Sequence, residues 1–212
     1  MTWTEIGDPI VVVPVGSCEQ HGPHLPLATD TIVAGALADR LAARRPDCVV
    51  TPPLTITASG EHRGFPGTLS IGTEIMAGVV IELVRSADWA AGVVLVNGHG
   101  GNVTAMHRAA EVFDVERRDV LIWWPSITDA DPHAGHTETS LLLAIDAGLV
   151  RVDLATPGPV PTMPELVREG VRPLSPSGVL GDPTSASADA GTRILSMMVD
   201  QLVEAVDAWR PR

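Results

Sequence analysis

Short runs of β-branched apolar residues, separated by segments with helical periodicity, most constrain how this chain folds. We predict four buried strands at these runs, over residues 9–15, 48–51, 92–96 and 120–124. We predict amphipathic helices between and after them, over residues 30–45, 73–89, 102–117, 138–147 and 188–209. This alternation is typical of a sheet with parallel strands that helices cover on both faces. It therefore predicts an α/β fold, in one domain over residues 1–212.

A proline-rich segment at about residues 151–177, called the arm below, interrupts the alternation. It holds six of the chain's eighteen prolines and shows no sustained period. Structureless segments longer than about 15 residues in compact domains are usually lids, binding loops or linkers. We therefore predict an ordered loop or arm that covers a site or helps to form a homo-oligomer.

Composition excludes several classes of partner. The net charge is −12, which argues against nucleic acid because binding to phosphates depends on basic patches. No apolar stretch approaches the roughly 20 residues needed to span a bilayer, so we expect no membrane partner. The N-terminus lacks a basic region typical of a signal peptide. Two cysteines, Cys18 and Cys48, suit a reducing compartment, and we predict a cytoplasmic protein.

Metal-ligating residue types follow the first predicted strand. Glu19 and His21 are two positions apart, and alternate residues of extended backbone point to the same side. Carboxylates and imidazoles are both common metal ligands. Asp30 follows at the start of the next helix, where it serves either as a ligand or as a plain N-cap.

Two later strands end in the same kinds of residue. His99 lies just beyond the strand at 92–96, among glycines that allow close approach of the backbone. His133, His136 and Glu138 follow the strand at 120–124. Ligands of open α/β sheets bind beyond the carboxyl ends of strands, so the three loops together predict a metal site there.

The remaining candidates have weaker support. A nucleophilic role for Cys18 is disfavoured, because alternation turns it away from the neighbours of Glu19 and its spacing matches no cysteine hydrolase. His24 and His136 are expected to fix loops rather than to bind metal. His62 could line the pocket, whereas His107 lies midway along a helix face and is not expected to act.

Four separated motifs together resemble the creatininase family of metal-dependent amidohydrolases. They occur in family order as VPVGSCEQHGPHLPLATD, GEHRGFPGT, VNGHGGN and HAGHTETS. The resemblance implies a three-layer α/β/α sandwich with a mixed, largely parallel sheet. It also implies two divalent cations per subunit (Zn, Fe(II) or Mn), which activate a water molecule.

The resemblance implies roles for individual residues. His133 falls on the family's catalytic histidine and is expected to protonate the leaving amine. Asp30 falls on the ligand position that bridges the two metals. The other matched ligand positions are those of Glu19, His21 and His99.

One position departs from creatininase itself, which carries a glutamate ligand where this chain has Gly101. Glu138 is the natural replacement, and we expect it to act both as a ligand and as a catalytic group. We expect Glu61, His62 and Trp124 to contact the substrate. One indole of the pair Trp123–Trp124 could face the pocket, and the alternative is that both indoles pack in the core.

The segments DPHAGHTETS and GVLGDPTSASA most closely resemble creatininase-family peptidases of the mycofactocin system. Members of that subgroup trim a ribosomally made precursor peptide whose C-terminal Val-Tyr has been modified. The expected substrate is therefore a modified precursor peptide, cleaved before its Val-Tyr-derived unit. The alternatives are hydrolysis of creatinine or of a small formamide, and a non-catalytic metal-binding scaffold.

Overall fold

The computed structural model of the protein describes residues 2–128 and 130–209, and these contain a four-stranded parallel sheet. The strands lie in the order β2-β1-β3-β4. Their bounds are Ile10–Val15 for β1, Cys48–Val50 for β2, Gly92–Asn97 for β3 and Val120–Trp123 for β4. All three neighbouring pairs are parallel, so the carboxyl ends of the strands lie at one edge of the sheet.

Helices cover both faces of the sheet. The α-helices are α1 (Thr29–Arg44), α2 (Thr73–Ser86), α3 (Val103–Glu116), α4 (His136–Asp146), α5 (Met163–Glu169), α6 (Val171–Leu174) and α7 (Ala188–Ala208). Helices α1, α4 and α7 pack together on one face, and α2 and α3 pack together on the other. Short 3-10 helices lie at Trp3–Glu5, Gly60–His62, Gly100–Asn102, Ala147–Leu149, Val152–Leu154 and Pro183–Ser185.

The side chains of β1 alternate between the two faces. Ile10 and Val12 join the core under α1, α4 and α7, whereas Val11 and Val13 join the core under α2 and α3. All six residues of β1 are buried, as expected of a strand covered on both sides. The three-layer α/β/α sandwich predicted from the sequence is therefore confirmed.

Antiparallel pairing within the described residues is limited to isolated bridges outside the sheet. One bridge joins Cys18 to Leu69, and another joins His133 to Leu180. The strands of the sheet itself are all parallel. Within the described residues the sheet is thus parallel throughout, whereas the resemblance implied a mixed, largely parallel sheet.

The arm contains more regular structure than its prolines suggested, since it includes α5 and α6. Thr162 and Glu165 form a capping box at the start of α5, and a proline lies in the first turn, where no backbone N–H is needed. Gly170 separates the two helices with a φ of 73°, which favours glycine. Both helices pack against Gly60–His62.

The longest helix of the described residues is α7, with 21 residues. Its charged residues include Asp189, Arg193 and Asp200. Within residues 2–128 and 130–209, no helix is both long and apolar enough to cross a membrane.

Candidate metal centre

Loops from three strand ends and the first turn of α1 meet at the carboxyl edge of the sheet. Together they bring buried carboxylates and imidazoles to within 4.8 Å of one another, in overlapping groups of three. These groups contain the residues predicted as ligands, namely Glu19, His21, Asp30, His99 and Glu138, with His133 beside them. The convergence follows from the parallel order of the strands.

Asp30 lies at the centre of this cluster. Its Oδ1 is 3.1 Å from Nε2 of His21, and its Oδ2 is 3.1 Å from Nδ1 of His99. Ser17 donates a hydrogen bond to Oδ2 at 2.7 Å. The alternative in which Asp30 is a plain N-cap is wrong, because the N-cap residue of α1 is Ala28. A carboxylate whose two oxygens face different histidines has the arrangement expected of a bridging ligand.

Glu19 is fully buried, and neither of its carboxylate oxygens has a hydrogen-bond partner among the described residues. Its Oε2 lies 3.1 Å from Nε2 of His99, and its Oε1 lies 3.3 Å from Nε2 of His62. Burial raises the pKa of Glu19 to about 8. An isolated buried carboxylate is costly unless a positive charge compensates it, so this residue fits a bound cation.

The ring of His21 is oriented by the backbone. Its Nδ1–H donates to the carbonyl oxygen of Glu19 at 3.1 Å, which leaves Nε2 facing the carboxylates of Asp30 and Glu138. A histidine ligand commonly has its other nitrogen held in this way. Although burial alone would lower it, Asp30 raises the pKa of His21 to about 10. Nε2 therefore carries the proton that a bound cation replaces.

His99 faces Asp30 with Nδ1, while its Nε2 lies 2.9 Å from the carbonyl oxygen of Ala58. Although burial alone would lower it, Glu19 and Asp30 raise the pKa of His99 to about 10. Oε1 of Glu61 lies 3.4 Å from Nε2 on the same side of the ring. Glu61, predicted to bind substrate, thus lies at the edge of the metal cluster.

Gly101 leaves the space that Glu61 fills. A Cβ atom at position 101 would lie 2.1 Å from Oε1 of Glu61 and 2.4 Å from Nε2 of His99. Such contacts are too short for any larger residue without movement of its neighbours. The glycine and the position of Glu61 are therefore linked.

Glu138 lies at the opposite end of the cluster from Glu61. Its Oε2 is 3.8 Å from Nε2 of His21 and accepts a 2.6 Å hydrogen bond from the backbone N–H of Ala134. A quarter of the side chain reaches solvent, yet burial raises the pKa of its carboxyl group to about 7. Glu138 joins His21 and His133 in one group of possible ligands.

Asp131 holds the start of α4 and was not among the residues predicted from the sequence. Its carboxylate accepts hydrogen bonds from the backbone N–H groups of His136 and, at 3.0 Å, Thr137. Asp131 lies five positions before the helix, whose N-cap residue is Gly135, so the usual capping pattern does not mark it. This contact fixes the helix turn that presents Glu138.

Two neutral imidazoles lie beside the cluster. The rings of His62 and His133 have centroids 4.3 Å apart. Burial lowers the pKa of His62 to about 3. Burial, and then the charge of His21, lower the pKa of His133 well below its usual range. His133 is therefore neutral here.

The tryptophan pair at the end of β4 divides between core and surface. Trp123 is buried in the core. Trp124 is 40% exposed, and its indole packs edge-on against His107 of α3, with centroids 5.7 Å apart. The structure thus places Trp124 against α3, and its contact with substrate stays a prediction.

The remaining histidines and Cys18 make local contacts. Nε2 of His24 lies 2.9 Å from Oγ1 of Thr139, and Nδ1 of His136 lies 3.1 Å from Oγ of Ser185. Both histidines thus contact hydroxyl groups, as expected of residues that fix loops. Cys18 directs its thiol towards the carbonyl oxygen of Gly67 at 3.6 Å.

Asn102 precedes α3, but its side chain does not cap this helix. Its Nδ2 donates to Oδ1 of Asn97 and to the carbonyl oxygen of Gly16. Its Oδ1 accepts from the backbone N–H of Ala58. Asn102 therefore joins the loops around His99, a role that helix patterns do not reveal.

The chain matches the family model for creatininase, described as creatinine amidohydrolase, over residues 1–206. The chain belongs to the creatininase family. This confirms the resemblance carried by the four sequence motifs. The protein is accordingly an amidohydrolase enzyme, with the clustered carboxylates and histidines of a metal site.

Within the creatininase family, this chain is similar to proteins with two different activities. It is 47% identical to the mycofactocin precursor peptide peptidase of Mycolicibacterium smegmatis, over 96% of this chain and 86% of the relative. It is 46% identical to the same peptidase of Mycobacterium tuberculosis, over 96% of this chain and 87% of that relative. It is 28% identical to the creatinine amidohydrolase of Pseudomonas putida, over 97% of this chain and 94% of that relative.

Solved creatininase structures share the fold of this family member. A manganese form of creatininase superposes with a TM-score of 0.81 at 26% identity, covering 100% of this chain and 97% of that chain. A mutant creatininase of the Zn–Zn type gives 0.80 at 25% identity, again covering 100% and 97%. Both of these creatininase structures are thus metal forms.

Proposed function

We propose that this creatininase-family enzyme is a metal-dependent peptidase of mycofactocin maturation. Its substrate would be the modified precursor peptide, cleaved at the amide before the C-terminal Val-Tyr-derived unit. The observation that carries this proposal is the 47% identity to a mycofactocin precursor peptide peptidase, against 28% to a creatinine amidohydrolase. Both values apply to at least 96% of this chain.

The proposed cofactors are two divalent cations per subunit, either Zn, Fe(II) or Mn, which all accept mixed nitrogen and oxygen ligands. Glu19 and His99 would hold one cation and His21 and Glu138 the other, and Asp30 would contribute to both. The unpartnered oxygens of Glu19 and the two-sided contacts of Asp30 support this assignment. Cations in such sites polarise a carbonyl group and lower the pKa of water to about 7.

In the proposed mechanism, His133 moves the proton. Its Nε2–H donates to the carbonyl oxygen of Gln20 at 2.8 Å, which leaves Nδ1 as an acceptor. That nitrogen lies 3.9 Å from Oε1 of Glu19. His133 can therefore accept a proton from the attacking water and return it to the departing amine. Glu138, with its raised pKa, is a second acceptor on the same side.

The substrate would be held by groups around this edge. His62 lies beside His133 and Glu61 beside His99, so both are near the proposed scissile bond. Trp124 would contact an apolar or aromatic side chain if the peptide passes over α3. These three contacts remain proposals.

The decisive experiment offers the purified, metal-loaded protein its precursor peptide and creatinine in parallel. We expect mass spectrometry to find release of the Val-Tyr-derived unit and no opening of creatinine. A His133→Ala variant with its metal content measured is the matched control, because it should bind metal without cleaving. Rapid conversion of creatinine with an untouched peptide would overturn the substrate assignment but not the amidohydrolase activity.

Creatinine hydrolysis is the second candidate, since the creatinine amidohydrolase relative and the solved creatininases share most of this chain's length. Gly101 disfavours it, because creatininase itself has a glutamate ligand there. A formamide substrate should be included in the same panel. A metal-binding scaffold without turnover would not need the neutral His133, and absence of any cleavage would support it.

A homo-oligomer built through the arm is also proposed. The arm exposes apolar side chains, with Val160 70%, Met163 65% and Val167 81% exposed. Light scattering should show more than one subunit, and a fully active monomer would remove this proposal. A cytoplasmic location stays a prediction, supported by Cys18 and Cys48, which are both free thiols.

A further inference from the structure

Gln20 lies between two proposed metal ligands, and its side chain reaches three other parts of the site. It is buried, with 6% of its surface exposed. Its Nε2 lies 2.9 Å from Nδ1 of His62, 3.0 Å from Nε2 of His133 and 3.1 Å from the carbonyl oxygen of Gly178. One amide thus contacts both imidazole rings.

The neighbouring backbone fixes which end of the amide is nitrogen. Oε1 of Gln20 accepts a hydrogen bond from the backbone N–H of Gly22 at 2.9 Å. Nε2 donates to the carbonyl oxygen of Gly178. The reversed amide would place its NH₂ group against an N–H and its oxygen against a carbonyl oxygen, and both contacts would be repulsive.

This orientation determines where the amide's second N–H points. Nε2 of His133 is already a donor, because it lies 2.8 Å from the backbone carbonyl oxygen of Gln20. A donor cannot accept the amide proton, so that proton goes to Nδ1 of His62. The ring proton of His62 is then on Nε2, which lies 3.3 Å from Oε1 of Glu19.

We propose that Gln20 is a positioning residue that sets the tautomers of His62 and His133. With its side chain it makes His62 an Nε2–H donor, and with its backbone carbonyl it keeps Nδ1 of His133 an acceptor. The site thus presents one N–H donor and one acceptor nitrogen side by side, an arrangement suited to proton transfer in amide hydrolysis. The catalytic consequence rests on the proposed peptidase function, whereas the tautomers do not.

The assignment also limits which residues bind metal. Glu19, His62 and His133 lie close enough together to form a metal site. A nitrogen that carries a proton cannot bind a cation, so Nε2 of His62 is not a ligand while Gln20 donates to Nδ1. His62 is therefore placed as a hydrogen-bond donor beside the metal centre.

The test measures histidine tautomers in the zinc-loaded protein. Long-range ¹H–¹⁵N NMR spectra of protein labelled with ¹⁵N-histidine distinguish Nδ1–H from Nε2–H. We expect protonated Nε2 for both His62 and His133 in the wild type. In Gln20→Glu, the carboxylate can only accept, so the proton of His62 should move to Nδ1. We expect kcat for the precursor peptide to fall by about 10²-fold, with KM changed by less than about threefold.

Ser175→Ala is the matched control. Ser175 is buried, and its Oγ donates to the carbonyl oxygen of Val179 at 2.8 Å, next to the glycine that contacts Gln20. This variant should loosen the same segment yet leave the tautomers and kcat unchanged. Gln20→Met keeps the length of the side chain but neither of its hydrogen-bonding groups. We expect it to lower kcat and to leave His62 without one preferred tautomer.

Several results would overturn the proposal. These are an Nδ1–H tautomer of His62 in the wild type, an unchanged tautomer in Gln20→Glu, and equal effects in the Ser175→Ala control. The wild-type spectrum decides even if a Gln20 variant fails to fold. If the peptide is not cleaved at all, the proposed function fails, while the spectra still test the role of Gln20.

Discussion

Oε1 of Glu61 lies 3.4 Å from Nε2 of His99, in space that a side chain at position 101 would otherwise occupy. Creatininase itself has a glutamate ligand at the position of Gly101. This chain thus has a carboxylate near that place, but it comes from the 3-10 helix Gly60–His62 instead of the loop after β3. We therefore expect the carboxylate of Glu61 to strengthen metal binding at the His99 end of the cluster.

Replacing Glu61 by glutamine should weaken one metal selectively. The amide keeps the size of the side chain but loses the charge near His99, so we expect about 10- to 100-fold weaker binding at that end. Competition for zinc with a coloured chelator would measure this. Glu111→Gln, an exposed change on α3, is the control. If Glu61→Gln binds zinc as tightly as wild type, Glu61 has no role in metal binding, and only its predicted role in substrate binding is left.

Glu138→Gln should affect the other metal. Its Oε2 faces Nε2 of His21, so loss of the charge should release the cation at the His21 end first. Elemental analysis after mild chelation should find about one metal per subunit, against two in the wild type. Equal retention of both metals would contradict the assignment of Glu138 as a ligand of the cation at the His21 end.

Asp30→Asn should remove both metals and the activity, because one carboxylate faces both His21 and His99. Since Asp30 does not cap α1, the helix should be retained, which circular dichroism would check. Asp39→Asn, exposed on the same helix, should behave as wild type. Full metal occupancy in Asp30→Asn would disprove the bridging role.

His133→Ala should separate chemistry from metal binding. We expect turnover to fall by roughly 10²- to 10⁴-fold, the usual scale for a positioned acid or base, at near wild-type metal content. Parallel measurements of kcat and metal content would check this. If the variant loses metal, His133 is a ligand and its proton-transfer role is wrong.

Glu116 should make stability depend on pH. Hydrogen bonds from Arg85, and then from Arg118, lower its pKa to about 2, below the ordinary value of 4.5. A lowered carboxylate pKa stabilises the fold above about pH 4.5, and the contribution is lost as pH falls towards 2. Glu116→Gln should therefore lower the melting temperature at pH 7 by no more than about 4 °C.

The difference in melting temperature between wild type and Glu116→Gln should decrease as pH falls from 4.5 to 3. It should also decrease in high salt, because the ion pairs are at the surface. Thermal unfolding of wild type and variant across this range would measure it. Glu111→Gln again serves as the control. If the difference in melting temperature stays constant with pH, then packing and not charge stabilises the contact between the ends of α2 and α3.

The sequence predicted the parts of the site that depend on strand ends. The apolar runs at 9–15 and 92–96 locate β1 and β3, and the parallel order then brings Glu19 and His99 together. Periodicity also located the long helices to within a few residues. These features are local or follow from topology, which is why a single sequence reveals them.

Other features depend on contacts between distant segments. Gln20 contacts Gly178, which is 158 positions away, and no periodicity marks either residue. The bridging geometry of Asp30 likewise required the positions of both histidines, since its sequence context equally fits a helix cap. In the arm, the prolines suggested a loop, although the capping box of Thr162 and Glu165 was a readable helix signal.

The segment just after the arm has a consequence for protein engineering. Leu180 exchanges two backbone hydrogen bonds with His133, and Gly178 leaves room for the amide of Gln20, where a Cβ would lie 1.7 Å from Oε1. A loop graft from another family member that replaced residues 178–180 would therefore redesign the active-site wall. A chimera intended to leave this wall unchanged should end its exchanged segment before Gly178.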